Sequence, residues 1–427
     1  MTTSRTYIDL FAGCGGLALG FHNAGWAGLF AIEKDPMAFE TFRANFLVED
    51  APYPDFELWP SWLQKKPMDI NDVLADTDLR SALEGVESDL VAGGPPCQGF
   101  SVGGARNGAD IRNLLVQRLL ETVAIVRPRC VLIENVEGMA RRFQSKPGQF
   151  SRSAAEDVLE RLDQIGYSAV STTVDASSIG VPQHRRRLVI IGVRGAVSDF
   201  RGAVSSAIDR ARVRILDETA LETPVTARDA LEDLDGEHRV PCPDSPKYVS
   251  GTYRSEVSST YAKLMARGID RTQIPDSHRF SVHGPRIISW YTRAHATQPP
   301  GRLSKQFMQS LGTKKDKKVL IDPDSPVSTI TTHPDEFIHF RHPRNITVRE
   351  MARLQSFPDN FVFRGRYTIN GPRRRLDVAR CSQVGNAVPP LLGQCLAYAV
   401  EELLTGQAPV SQPIRLRSTQ LGLPALA

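Results

Sequence analysis

The order of apolar and polar positions changes character about 195 residues into the chain. Before that point, short runs rich in Val, Ile, Leu and Phe recur at Tyr7–Phe11, Gly28–Glu33, Ser88–Gly93, Cys130–Glu134, Ser168–Val174 and Leu188–Val193. Between them the apolar positions take helical spacing at Met37–Phe46, Leu114–Val126 and Ala154–Ile165. This alternation predicts an α/β fold, a doubly wound and mostly parallel sheet with helices on both faces. Residues 196–345 are rich in Pro, Ser, Arg and Asp, have few long periodic segments, and read as a separate, smaller, irregular domain. Helical order returns at Thr347–Gln355 and Pro390–Leu404, whereas 406–427 lacks periodicity and is expected to be a mobile tail.

Composition narrows the class without naming a function. The chain has 427 residues, 41% hydrophobic and 23% charged, as an ordinary globular protein with room for two or three domains does. The start, MTTSRTYIDLF, enters a strand-like run at once, so no secretory signal is expected. No apolar run approaches the roughly 18 residues a membrane span needs. The cysteines at 14, 97, 130, 242, 381 and 395 are far apart and form no CxxC pair. Neither a zinc site nor a disulfide framework is therefore expected, and the chain should reside in a reducing cytoplasm. His238 and Cys242 supply at most half a metal site.

Net charge is only +4, but its distribution is uneven. From Arg271 to Ile321 there are ten Lys or Arg and only two acids, Asp276 and Asp316. Phe280, Trp290, Tyr291, Phe307 and three histidines are interleaved with them. A basic stretch is often just a solvated face, but one with aromatics and Gly/Pro-rich loops suits a phosphate backbone.

Four motifs sit where strands should end, the place where α/β sheets collect ligands. GGPPCQGFS (93–101) puts Cys97 among Gly, Pro and Ser rather than apolar neighbours, which is compatible with a nucleophile or with an incidental thiol. DLFAGCGGLALGF (9–21) is a Gly-rich strand-to-helix turn, and Glu33 follows at the end of the next strand, where a ribose diol would be held. The spacing is not that of a nicotinamide site; the turn reads as an adenosine-cofactor turn or as a plain tight turn. IENVEG places Glu134 just past an apolar strand, where partial burial would suit it to share a proton. QHRRR (183–187) precedes the strand LVIIGV; alternation sends Arg185 and Arg187 to one face and Arg186 to the other, forming a clamp for an anion or polar base.

Together these residues resemble the cytosine-carbon-5 DNA methyltransferases. DLFAGCGG resembles that family's cofactor turn, GGPPCQGFS its nucleophile loop, ENVEG its proton-donor segment and QHRRR its arginine segment. TVREMARLQSFPDNF (347–361) and QVGNAVPPLLG (383–393) resemble its two late blocks, and MDINDV resembles its adenine-contacting segment, all in the family's linear order. The segment from Asn45 to Pro67 is longer than a minimal version, which blurs the alignment there.

The resemblance implies the S-adenosylmethionine-dependent methyltransferase fold. The catalytic and cofactor-binding domain would span 1–195, an inserted target-recognition domain 196–345 and a segment completing the catalytic domain 346–405. It implies S-adenosylmethionine held by Phe11, Gly13, Gly16, Glu33, Asp69, Ile70, Pro96, Asn386 and Val388. It implies Cys97 as nucleophile, Glu134 on the cytosine ring, Arg187 on the ring carbonyl and Arg185 near the phosphate and nucleophile loop. Gln98, Ser101 and Lys314, Lys315, Lys317 and Lys318 would contact DNA, with Ser101–Asp110 closing over a flipped base. Double-stranded DNA is thus the expected partner of a monomer in the bacterial cytoplasm, alone or beside a restriction endonuclease or defence system acting on the same site. Two alternatives stay open: a transfer-RNA methyltransferase, whose Cys-Phe-Thr signature is missing here, and a catalytically silent DNA-binding module. The target sequence is not legible.

Overall fold

The computed structural model describes residues 5–96 and 111–405, apart from 143, 147–148, 151, 237, 258, 314–316, 334 and 369–376. Its centre is a six-stranded sheet: β1 (Thr6–Leu10), β2 (Ala27–Ile32), β3 (Leu90–Gly93), β4 (Cys130–Val136), β5 (Tyr167–Asp175) and β6 (Arg186–Arg194). They lie in the order β2-β1-β3-β4-β6-β5. β2, β1, β3 and β4 are mutually parallel, and β6 runs antiparallel to both its neighbours. The mostly parallel, doubly wound sheet expected from the strand–helix alternation is therefore present.

Period-2 alternation divides the strand side chains between two cores. Tyr7, Ala92, Cys130, Leu132, Val189 and Ile191 join one cluster, while Ile8, Leu10, Val91, Val131, Ile133 and Ile190 join the other. A sheet buried on both faces needs apolar residues at consecutive positions, which is why these strands read as continuous runs. The Ile111–Val126 and Ala154–Gln164 helices cover the second face.

The first face is closed by chain from the far end of the sequence. The Pro390–Thr405 helix lies against the Gly16–Asn23 helix, and a Cβ on Gly20 would stand 2.6 Å from the Cα of Gly393. Glycine on both helices is what permits this approach. A long helix, Phe200–Thr219, packs beside it through Phe200, Val204, Ala207, Ala211 and Ile215. That helix corrects the expectation of irregular chain from 196 onward. Its apolar positions are small and widely spaced among Arg, Asp and Glu, so its periodicity is faint, yet it belongs to the core of the sheet. A separate small core does exist further on, built from Tyr291, Ala294, Leu303, Phe307, Met308, Leu311, Leu320 and Ile338.

Contacts along both flanks fasten residues 227–345 to the rest of the chain. Val327–Ser328 pairs in parallel with Gln183–His184, just before β6. The buried Arg353 guanidinium ties the Val348–Leu354 helix to Asp233 at 3.0 Å and to Asp359 at 2.6 Å.

Candidate active site

Chain order reverses on either side of β1, with β2 to one side and β3 to the other, and the crevice opens at their carboxyl ends. The turn after β1 is forced open: Phe11, Gly13 and Gly15 have φ of 61°, 58° and 96°. A Cβ on Gly13 would meet nothing within 4 Å, whereas one on Gly16 would stand 2.3 Å from the carbonyl oxygen of Val388. The late block therefore lies directly on the glycine turn.

Glu33 directly follows β2 and faces the same turn. Its carboxylate accepts hydrogen bonds from the backbone N–H of Gly13 at 2.9 Å and of Asp35 at 2.7 Å. Burial pushes the Glu33 carboxyl up, and these two N–H groups pull the other way. Asp9, inside β1, is a site residue that the motifs did not single out. It is 1% exposed, and neither carboxylate oxygen has a partner. Burial, then the nearby Glu33 charge, pushes it well above the usual carboxylate range. The available signal was an acid in the middle of an apolar strand. The Met68 N–H donates to the Glu33 carbonyl at 2.8 Å, which brings Asp69 and the buried Ile70 beside Glu33. Asp69 caps the Ile70–Ala75 helix, accepting from the Asn71 N–H at 2.9 Å. Asn386 ends the Arg380–Asn386 helix with its side chain exposed, two residues before the buried Val388.

At the next strand ends, Glu134 and Arg187 form an ion pair, Oε1 to Nε 2.9 Å, with side chains 10% and 11% exposed. Register explains the meeting. Glu134 faces Val189 and Val136 faces Arg187, so the pair is a diagonal one, within reach of long side chains. A Cβ on Gly94 would lie 3.3 Å from Glu134 Oε2, so this carboxylate stands beside the chain as it leaves β3. Asn135, also missed by motif reading, donates from its side-chain amide to the Pro95 carbonyl at 3.1 Å, and Pro96 is exposed beyond it. Cys97, Gln98, Ser101, Lys314 and Lys315 lie outside the described residues.

Two expected residues do something else. Arg185 is 2% exposed and donates to the carbonyls of Ile330 at 3.1 Å and of Gly385 and Ala387 at 3.0 Å each. It is a buried strut joining the sheet, the insertion and the late block, and is not aimed at a phosphate beside Arg187. Burial, with Arg187 adding to it, lowers its guanidinium pKa well below the usual value. Lys318 is 3% exposed and donates to Tyr291 Oη at 3.0 Å and the Asp335 carbonyl at 2.6 Å. It packs in the insertion's small core, so it is not a surface phosphate contact; only Lys317 of that cluster is both described and exposed.

Among the described residues, no group of three His, Cys, Asp or Glu could hold a metal ion, and no helix is long and apolar enough to cross a membrane.

The family model for C-5 cytosine-specific DNA methylases matches residues 5–402. The chain belongs to this family. It is 30% identical over 410 residues to the type II methyltransferase M1.HphI of Haemophilus parahaemolyticus, covering 95% of this chain and 88% of that protein. It is 30% identical over 409 residues to M.DdeI of Desulfomicrobium norvegicum, covering 92% and 88%. A solved E. coli prophage protein described as a DNA modification methyltransferase superposes with a TM-score of 0.63 at 25% identity, covering 94% of this chain and 100% of that one. The S. pombe Dnmt2 methyltransferase shares the fold, with a TM-score of 0.51 at 16% identity over 94% and 98% of the two chains. The chain is thus a DNA cytosine-5-methyltransferase with close kin among type II enzymes.

Proposed function

We propose that the chain methylates carbon 5 of a cytosine swung out of duplex DNA, by covalent catalysis from Cys97 with S-adenosylmethionine as donor. The observation that carries this reading is the buried Glu134–Arg187 pair beside Gly94, where the chain leaves β3 three residues before Cys97. A cytosine ring carries an acceptor carbonyl, ring nitrogen 3 and an exocyclic amine along one edge. A carboxylate and a guanidinium held side by side complement that edge, and within a stacked duplex they could not reach it.

The residues around the glycine turn fit the proposed cofactor. Asp9 offers a buried carboxyl without a partner, whose ionised form a cationic donor placed beside it would favour. Glu33 and Asp69 offer carboxylates to a ribose and to an adenine, with Phe11, Ile70 and Val388 as apolar walls and Gly13, Gly16, Pro96 and Asn386 as close backbone or polar contacts. When bound, S-adenosylmethionine supplies an electrophilic methyl sulfonium.

The chain's own groups do the rest. The Cys97 thiolate adds to ring carbon 6, which makes carbon 5 nucleophilic. Glu134, as the protonated acid, donates to ring nitrogen 3 and accepts from the amine, so the negative charge that develops as sulfur adds is neutralised, and the proton returns to Glu134 when the thiolate leaves. Arg187 holds the ring carbonyl and orients Glu134. After methylation, loss of the carbon-5 proton and expulsion of the Cys97 thiolate restore the aromatic ring. Residues within 196–345 read the target sequence. The kinship with type II methyltransferases supports a bacterial enzyme that acts alone or beside an endonuclease or defence system of the same specificity.

Labelled S-adenosylmethionine offered with duplex DNA and with transfer RNA tests the substrate. Incorporation into DNA, at positions that bisulfite sequencing reports as protected cytosines, is expected. Incorporation into transfer RNA alone would overturn the reading, and binding of DNA without incorporation would leave only a silent binding module.

A further inference from the structure

Among the described residues, seven large apolar side chains stand well exposed, and five of them, Val213, Tyr248, Val249, Val282 and Ile288, fall within residues 196–345. Val282 is the extreme at 76% exposed. Ile288 lines a groove of about 250 Å³, and Val282 lies in the chain between the lining residues Ser281 and His283. The groove has an aromatic side, Phe280, whose ring lies 4.7 Å from the Arg239 guanidinium and 4.6 Å from that of Arg344. His342 completes the wall, and no carboxylate lines it. Arg344 is spent on Glu350, at 2.7 and 2.8 Å, while Arg239, its side chain 39% exposed, stands 3.8 Å from Asp235 and donates to the Gly236 carbonyl at 2.7 Å. Asp235 is held more closely by Arg341 at 3.0 Å and His342 at 2.8 Å, which leaves Arg239 the more exposed and more loosely paired cation of the groove. The chain from 277 to 315 contains no acid and seven Lys or Arg.

Positive surroundings favour a polyanion over an ordinary protein partner, yet a phosphate alone would leave Val282 and Ile288 without a function. The base edges of a duplex present one apolar group in the major groove, the methyl of thymine. We propose that this groove is a base-reading site, with Val282 and Ile288 against a thymine methyl group and Arg239 on a flanking phosphate. This moves the DNA path away from the Lys314–Lys318 cluster. It rests on the action on duplex DNA argued above.

The test starts from wild-type enzyme and a random duplex library, whose methylated fraction is sequenced after bisulfite treatment to define the preferred site. Each thymine of that site is then replaced by uracil, which lacks only the methyl. Removing one methyl should slow methylation about tenfold or more, the scale of one base contact. The Val282→Ser/Ile288→Ser variant should treat the thymine and uracil duplexes alike. Arg239→Ala should weaken binding to all duplexes and lower the salt slope by about 0.9. A fully active wild type indifferent to every thymine-to-uracil change overturns the groove alone, and needs no variant to fold. A double variant that keeps the discrimination overturns it too, as does a wild-type dimer, seen by sedimentation, that this variant dissolves. A wild type inactive on every duplex overturns the functional reading as well.

Discussion

The Glu134 carboxylate and the Arg187 guanidinium meet at 2.9 Å from two antiparallel strands, β4 and β6, in a site that leaves each about one-tenth exposed. Neither would tolerate loss of the other. Removing Arg187 as alanine should cost about 3–5 kcal/mol of stability, because a buried charge is left unpaired. Glu134→Gln should keep cofactor binding by calorimetry while losing a hundredfold or more in single-turnover rate, about 3 kcal/mol of transition-state stabilisation. Adding Glu134→Gln to Arg187→Ala should restore part of the lost melting temperature. A Glu134→Gln rate near wild type would make the carboxylate structural.

Glycines at the cofactor turn should differ sharply in tolerance. At Gly13 the space is open and only the left-handed backbone, φ 58°, opposes a side chain, so Gly13→Ala should cost about 1–3 kcal/mol. At Gly16 a methyl group would meet the Val388 carbonyl at 2.3 Å, and that backbone must move. Gly16→Ala should therefore weaken S-adenosylmethionine binding more than Gly13→Ala does, as read by calorimetry at matched temperature.

Arg185→Met keeps much of the volume but strands three buried carbonyls. Each unsatisfied acceptor costs about 1–3 kcal/mol, so thermal unfolding should drop severely, and the Asn386–Val388 side of the cofactor site should loosen. Equal cofactor affinity in a folded Arg185→Met variant would show that the strut serves the fold alone.

Thiol reagents should separate the cysteines. Burial pushes the Cys14, Cys130 and Cys395 thiols up to about 12, so almost no thiolate exists at pH 8. Peptide mass spectrometry after brief alkylation of native protein should find these three unlabelled and Cys97 labelled. DNA carrying 5-fluorocytosine should trap wild type, but not Cys97→Ala, as a denaturant-stable adduct, since fluorine cannot leave as a proton does.

Acid should loosen the joint between the insertion and the Val348–Leu354 helix. Burial holds His278 down to about 4 and His339 to about 3, each from an ordinary value near 6.5. Both bind a proton more readily when unfolded, so their contribution is present above pH 6.5 and lost as pH falls towards 4. The urea midpoint should fall between pH 7 and pH 5 by an amount worth about 1–3 kcal/mol, and His278→Gln should flatten that dependence. A midpoint unchanged over this range would mean that the buried rings find compensating partners when protonated.

Much of the chemistry was legible along the chain because motifs are local. A strand ending in Gly13, Gly15 and Gly16, an acid at Glu33 and an acid just past an apolar run at Glu134 are read from neighbours in sequence. The helix Phe200–Thr219 was not legible, because its buried stripe of Phe200, Val204, Ala207, Ala211 and Ile215 is diluted by charges and by the small residues between them, and becomes a core only against the Pro390–Thr405 helix. Arg185 and Lys318 were misread for a related reason. Residue type announces a cation, but whether carbonyls from distant segments enclose it depends on packing.

Strand period and turn chemistry act over a few residues, so the α/β rhythm and the family could be read along the chain. Which groups meet was settled by packing. It set Val388 on Gly16, paired Glu134 with Arg187 and left Asp9 buried without a partner. It also exposed Val282 and Ile288 beside a cationic groove. Each of those relationships joins segments far apart in the chain, through sheet register and helix packing that no local pattern encodes.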